Sequence, residues 1–229
     1  MNLTWQQAIG IEETHLSPLE PSSDKPLLVN TEVLDDLSHL LKCAKNEGVA
    51  ISIVSGFRSF ERQLTIWNDK WMGYRPVYSR HGRPLNMECL SEIEKYKAIA
   101  LWSALPGMSR HHWGTDFDIF ATEAIDAGHQ VELSPSEFSS TGVCHSLNQW
   151  LNEKLQYFGF FRPYKTYNQG VSEEPWHISH VAVSDKIYQQ YPYDYYREYL
   201  SNSEIKSKEF ICGQLEHYKE QYFCNFCKN

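Results

Sequence analysis

Ser109-Arg110-His111-His112-Trp113-Gly114-Thr115-Asp116-Phe117-Asp118 sets two imidazoles and two carboxylates within ten consecutive positions, directly after the Pro106-Gly107 break. Residues 115–120 alternate in polarity, so a strand there turns Asp116 and Asp118 to one face. Thr115, Phe117 and Ile119 then occupy the other. Gly114 permits a tight bend ahead of the strand, which folds His111 back towards Asp118. An imidazole nitrogen and a carboxylate oxygen held this way form half of a tetrahedral Zn²⁺ site. A polar loop carrying a solvated Asp pair is the other reading, and this segment alone does not separate the two.

Working outward, the next informative stretch is Glu173-Glu174-Pro175-Trp176-His177-Ile178-Ser179-His180. Pro175 pushes Glu174 out of the α region, so this is not a helical pair of histidines four residues apart. Glu174 instead stands at the entrance of a strand expected over 176–183, with His177 inside it. A zinc hydrolase needs three protein ligands, an open fourth position for water, and a nearby carboxylate to carry the proton. Ordinary hydrogen-bonded strand histidines are the competing reading of His177 and His180, and it is expected to hold for one of them. On the other side, Ser55-Gly56-Phe57-Arg58-Ser59-Phe60-Glu61-Arg62-Gln63 follows a β-type run at 49–54 and opens a helix over 59–71. An arginine there is placed to enter a cleft and bind a carboxylate through two parallel N–H groups. A surface pair of Arg58 with Glu61 or Glu47 is the alternative.

The remaining chain reads as one α+β unit. Helices are expected over 31–48 with Thr31 as N-cap, 91–104, and 141–158 closed by Gly159. Residues 1–30 read as an irregular lead-in, 31–184 as the core, and 185–229 as a helical, Tyr- and Cys-rich extension. Residues 74–87 form a loop long enough to be a lid, and 121–140 an acidic, irregular insertion. Helices between short strands in irregular order suggest a small, mostly antiparallel sheet rather than a doubly wound one.

Composition narrows the class of function. With 21 Lys+Arg against 29 Asp+Glu the formal net charge is −8, and no basic cluster exists to neutralise phosphates, which argues against nucleic acid as partner. No apolar run approaches the roughly 18 residues of a membrane span. Residues 1–13 lack a basic region followed by an apolar core, so no secretory leader is expected in the chain as written. A cytoplasmic location and an envelope protein with a processed N-terminus both stay open. The six cysteines are too sparse for a disulfide framework, and mostly reduced thiols are expected. Cys212, His217, Cys224 and Cys227 admit an inert, disulfide-linked, metal-binding or redox reading. The tyrosines between 188 and 199 are expected to pack rather than form a sugar platform.

Taken together, Ser-Gly-Phe-Arg-Ser with Gln63, Ser-x-His-x6-Asp, and Glu-Pro-Trp-His, in this order, resemble the zinc D-alanyl-D-alanine carboxypeptidase family. That family includes vancomycin-resistance-type carboxypeptidases and dipeptidases and has the Hedgehog/DD-peptidase fold. The resemblance spans roughly 49–183. It implies one zinc ion held by His111, Asp118 and His177, with Glu174 as catalytic acid and base. It implies that Arg58 holds substrate and steadies developing charge, that Ser109 binds the substrate's terminus, and that Gln63 assists binding. Two positions depart from the pattern. Asp116 stands where the family has a small residue, placed to support a ligand histidine from behind. His112 is an extra imidazole beside His111, which leaves a one-residue exchange of ligand open. The family continues Glu-Pro-Trp-His-x-Arg-Tyr, whereas Ser179 and His180 follow here, which bears on substrate more than on metal.

The expectation is therefore a monomeric zinc peptidase that removes a C-terminal D-amino acid from a peptidoglycan stem peptide. An endolysin-type endopeptidase cutting L-Ala-D-Glu bonds, a non-catalytic zinc-containing module, and a dipeptidase unrelated to the cell wall are the rivals. Whether the bond is D,D or L,D is not legible.

Overall fold

The computed structural model describes residues 2–20 and 26–227. A short helix α1 (Trp5–Ala8) and a hairpin of β1 (Leu16–Pro18) and β2 (Leu28–Asn30) precede α2 (Leu34–Asn46), β3 (Ile51–Ser55) and α3 (Phe60–Trp71). Then come α4 (Glu92–Ala100), β4 (Asp116–Ala121), α5 (Thr122–Asp126), α6 (His145–Lys154), β5 (Phe160–Phe161) and β6 (His177–His180). Then follow α7 (Val181–Gln189), α8 (Tyr193–Asn202), α9 (Lys208–Gly213) and α10 (Leu215–Tyr218), which runs on into a π-turn, Lys219–Phe223. The architecture is α+β. Its central sheet has the order β3-β4-β6-β5 with every pairing antiparallel.

The alternation read in β4 sorts its side chains between two chemistries. Phe117 and Ile119 enter the apolar core, fully buried with Trp67, Trp113 and Phe120, while Asp116 and Asp118 turn to the opposite face. Helix α3 begins at Ser59, whose hydroxyl accepts from the Arg62 N–H at 3.2 Å. It delivers Leu64, Trp67 and Trp71 to the core. Among the described residues no helix is long and apolar enough to cross a membrane.

Several boundaries differ from the sequence reading. Residues 1–30 are not irregular where described: they hold α1 and the hairpin, and Ile9 and Val29 are fully buried. Strands of three residues fall below any periodicity window, and this hairpin is fixed by distant contacts. The Asn30 N–H donates to the Gly114 carbonyl at 2.9 Å, and Asn30 Nδ2 donates to the Trp113 carbonyl at 3.1 Å. Thr31 does not cap α2, which starts after Val33; its hydroxyl instead donates to the His15 carbonyl at 3.0 Å. The segment 121–140 contains α5 and a 3-10 turn, Pro135–Phe138, anchored by the Glu137 carboxylate. The expected strand 176–183 is cut at His180, whose Nδ1 accepts from the Val183 N–H at 3.3 Å and starts α7.

Gly114 makes the bend that orients the central segment. It ends the 3-10 turn Arg110–Trp113 in the left-handed region, at φ 67°. A Cβ there would lie 2.5 Å from Leu16 Cδ2 and 2.7 Å from the Asn30 nitrogen. Gly114→Ala is expected to destabilise by roughly 1–2 kcal/mol from backbone conformation alone, and by more once the hairpin is displaced. A fall in the urea midpoint at constant m-value measures this.

Candidate metal centre and substrate cleft

The β4–β6 register places Asp118 directly opposite His177. The bend at Gly114 brings His111 over the same strand end, with His111 Nε2 3.4 Å from Asp118 Oδ2. His177 Nδ1 lies 3.3 Å from Asp118 Oδ1 and 3.4 Å from Glu174 Oε2. Glu174 reaches that position because Pro175 starts a turn closed by the His177 N–H on the Glu174 carbonyl at 3.1 Å. Ligand atoms of His111, Asp118 and His177 all lie within 4.8 Å of one another, and these are the residues that could hold a metal ion. All three are buried, as is Glu174.

The far ring nitrogens decide what this cluster can bind. His111 Nδ1 donates to the Gly56 carbonyl at 2.9 Å, and His177 Nε2 donates to Asp116 Oδ1 at 2.9 Å. In neutral imidazoles the remaining nitrogens, Nε2 of His111 and Nδ1 of His177, then carry bare lone pairs. They converge with the Asp118 oxygens as an all-acceptor set. A small cation of zinc's preferences fits this set: nitrogen and oxygen donors, with both histidines braced from behind. Electrostatics agree. Burial opposes charge on His177, yet hydrogen bonds to Asp116, Asp118 and Glu174 raise its pKa well above the ordinary value, so the cluster stabilises positive charge. Burial also opposes charge on Asp118, but the neighbouring His111 and His177 hold its carboxyl below the usual range. For Glu174 burial wins, and its carboxyl is raised despite the contact with His177.

His112, the rival to His111, points elsewhere. Its Nε2 accepts from the Gly107 N–H at 2.9 Å and its Nδ1 donates to the Arg58 carbonyl at 2.6 Å. Both nitrogens are committed, the ring is fully buried, and burial lowers its pKa to about 3. His112 therefore ties the Gly107 turn to the Arg58 loop. His180 likewise serves structure, capping α7 and holding Asp36 at 3.0 Å.

These residues open into a cavity of about 320 Å³. Arg58 and Ser109 line it, and Gln63 stands behind Arg58. The Arg58 guanidinium does not pair with Glu61 or Glu47; it donates to Gln63 Oε1 at 2.8 Å and to Ser55 Oγ at 3.0 Å. Gln63 is fixed by donating to the Ala104 carbonyl at 2.6 Å. The bulge in β3 between Ile53 and Ser55 re-aims the chain so that Gly56 reaches His111 and Arg58 enters the cleft. Lys70, which sequence reasoning missed, lines the same wall and donates to Ser103 Oγ at 2.5 Å. Burial, and then the charge of Arg58, lower its pKa to about 8. Its position seven residues after Gln63 on α3, on the same helix face, was the available signal. Tyr164, Trp102 and Trp176 were also missed and line the cavity, the two indoles stacked at 6.4 Å.

The expected lid, 74–87, contributes Arg75, Pro76 and Tyr78 to the cavity wall. The C-terminal segment contributes Tyr218, Tyr222 and Phe223. All six cysteines are free, and His217 hydrogen-bonds the Tyr96 hydroxyl at 3.1 Å. The tyrosines of 188–199 pack as expected: Tyr196 is fully buried and the Tyr191 hydroxyl donates to the Gly107 carbonyl at 2.7 Å.

Comparison with known proteins agrees with this geometry. The D-alanyl-D-alanine carboxypeptidase of Enterococcus faecalis is 31% identical over 160 residues, covering 67% of this chain and 49% of that enzyme, so the chain spans about half the relative's length. The structure of VanYB in complex with D-alanine-D-alanine matches with a TM-score of 0.50 and 27% identity, over 76% of this chain and 88% of that one. A mutant of the vancomycin-resistance D,D-pentapeptidase VanY, solved in complex with Zn(II), matches with a TM-score of 0.52 and 26% identity, over 82% of this chain and 95% of that one. The family model described as VanY, D-alanyl-D-alanine carboxypeptidase, covers residues 26–183, which contain both arms of the His–Asp–His cluster and the Arg58 loop. With well over half its length inside that match, the chain belongs to the VanY D-alanyl-D-alanine carboxypeptidase family.

Proposed function

We propose that this protein is a zinc carboxypeptidase that removes a C-terminal D-alanine from peptidoglycan stem peptides. His111, Asp118 and His177 hold the ion in this reading, Glu174 moves the proton, and Arg58, Ser109 and Gln63 bind the substrate's end. The observation that carries it is the all-acceptor cluster with a buried carboxylate beside it, opening into a cavity also lined by Arg58, Lys70 and Arg75. Bound there, zinc supplies Lewis acidity that polarises the scissile carbonyl and acidifies the attacking water. Glu174 Oε2 accepts the proton of that water and returns it to the leaving amine nitrogen. Burial raises the Glu174 pKa towards the working range of a group that must both take and give a proton.

Arg58, Lys70 and Arg75 line the cavity, and among the described residues neither Arg58 nor Lys70 has a carboxylate within ion-pair distance. A free terminal carboxylate supplies that missing charge, which favours an exopeptidase over the L-Ala-D-Glu endopeptidase. Glu174 beside the cluster speaks against a purely structural zinc module.

Purified protein is expected to carry about one zinc per chain, and a chelator should abolish hydrolysis. Glu174→Gln should keep that zinc while turnover falls by at least about 100-fold, measured by metal analysis and product mass spectrometry on defined muropeptides. Full activity of this variant removes Glu174 from the chemistry.

Amidating the peptide's C-terminus removes a charge-assisted contact of roughly 1.5–3 kcal/mol, so kcat/KM should drop by about 10- to 150-fold. Arg58→Ala should lose at least as much on the free acid and discriminate little between acid and amide, because both changes act on one contact. Equal cleavage of acid and amide by the wild type would sink the exopeptidase reading.

Lys70 is cationic below about pH 8 and neutral above it in the free enzyme. For the free-acid peptide, kcat/KM should therefore fall as pH rises through that value, and Lys70→Met should lack this limb. An identical pH profile in the two proteins shows that Lys70 does not serve substrate binding.

A further inference from the structure

Arg110 sits in sequence between Ser109 and His111, yet only Ser109 and His111 belong to the machinery proposed above. Its side chain is almost wholly enclosed, 4% exposed. The guanidinium makes three directed contacts. Nε donates to Asp116 Oδ1 at 2.8 Å, and Nη2 donates to Ser179 Oγ at 2.7 Å and Ser184 Oγ at 2.9 Å. Aromatic rings pack around it, with Trp113 and Phe226 each centred 4.9 Å from its central carbon. One residue thus joins the bend before β4, strand β6 and helix α7.

Asp116 is fully buried, and three hydrogen bonds reach its carboxylate. Oδ1 accepts from both Arg110 Nε and His177 Nε2, while Oδ2 accepts from the Thr115 hydroxyl at 2.6 Å. An enclosed carboxylate needs a paired cation, and Arg110 is the one at hand. So paired, Asp116 is an acceptor only, and it requires a proton on the His177 nitrogen that faces it. In the neutral ring that choice puts the lone pair on His177 Nδ1, the atom 3.3 Å from Asp118 and 3.4 Å from Glu174.

We propose that Arg110 is a positioning residue for the metal centre: through Asp116 it fixes the ring orientation and tautomer of His177, so that Nδ1 is presented to the ion. This rests on the reading of His177 as a ligand. The guanidinium's fork matters as well as its charge, since the same group that orders Asp116 also pins Ser179 and Ser184 and with them the β6–α7 junction.

The test measures metal binding rather than turnover, in the full chain. Apparent zinc affinity is read by competition with a chromophoric chelator, and ligand geometry by the visible absorption of the cobalt(II)-substituted protein. Arg110→Met is expected to weaken zinc by about 10- to 100-fold and to shift the cobalt bands, the usual effect of losing a partner behind a ligand. Arg110→Lys, which keeps the charge but cannot serve Asp116 and both serines, should recover most of the affinity with a residual cobalt shift. If Arg110→Met does not fold, Asp116→Asn and Arg110→Lys carry the test, with weakened zinc binding expected in the former. A purely structural Arg110 would lower the urea midpoint while zinc affinity and cobalt spectrum stayed at wild-type values in every folded variant, and that result overturns the proposal. His177→Ala separates the two levels. If it abolishes zinc binding while the Arg110 and Asp116 variants do not affect it, only the positioning role falls; if it leaves zinc binding intact, the ligand reading and this proposal fall together.

Discussion

Asp118 is a carboxylate shut inside the protein between two imidazoles, and much of the architecture compensates that one buried anion. Removing a charge from water costs several kcal/mol unless partners replace the lost solvation. Here the partners come from two separate elements. β6 supplies His177 through its register with β4, and the bend at Gly114 returns His111 over the strand end. The acceptors behind them, the Gly56 carbonyl and Asp116, aim the ring nitrogens inward. Each layer is set by the one outside it, down to the Asn30 contacts that clamp the bend.

The cavity is lined by charges of both signs. Asp118 and Glu174 face it, with Asp116 behind them, and so do Arg58, Lys70 and Arg75, with Arg58 close enough to feel both carboxylates. Such cations attract a peptide's terminal carboxylate and so favour one direction of entry. Indole and phenol rings in the same lining give apolar surface that excludes water and strengthens these interactions. Arg58 is held in this arrangement by neutral partners, Gln63 and Ser55, which fix its direction without cancelling its charge.

The C-terminal helices also belong to the site. Tyr218, Tyr222 and Phe223 close one wall, and the Tyr218 hydroxyl accepts from the Leu105 N–H at 3.0 Å, just ahead of the Pro106-Gly107 break. Tyr191 bonds the Gly107 carbonyl on the other side of that break. Two hydroxyls of this tyrosine-rich segment thus satisfy backbone groups of the loop that leads to Ser109, His111 and His112.

By itself the sequence determined the local geometry of the candidate centre. The alternation of 115–120, Gly114 before it, and Pro175 after Glu174 are short-range constraints, acting over a few bonds and readable wherever they occur. The helix start at Ser59 and the stop at Gly159 were legible for the same reason. What only the tertiary structure decided depends on residues far apart in the chain. The β4–β6 register chose the partner of Asp118, and hydrogen bonds to Gly107 and Arg58 turned His112 away from the cluster that His111 joins. The hairpin in the first thirty residues, Lys70 in the cleft wall, and the pairing of Arg110 with Asp116 were likewise invisible along the chain. Periodicity reports which face a residue occupies, but not which distant group will be pressed against it; that choice is made by burial, where every enclosed charge and polar atom must find a partner.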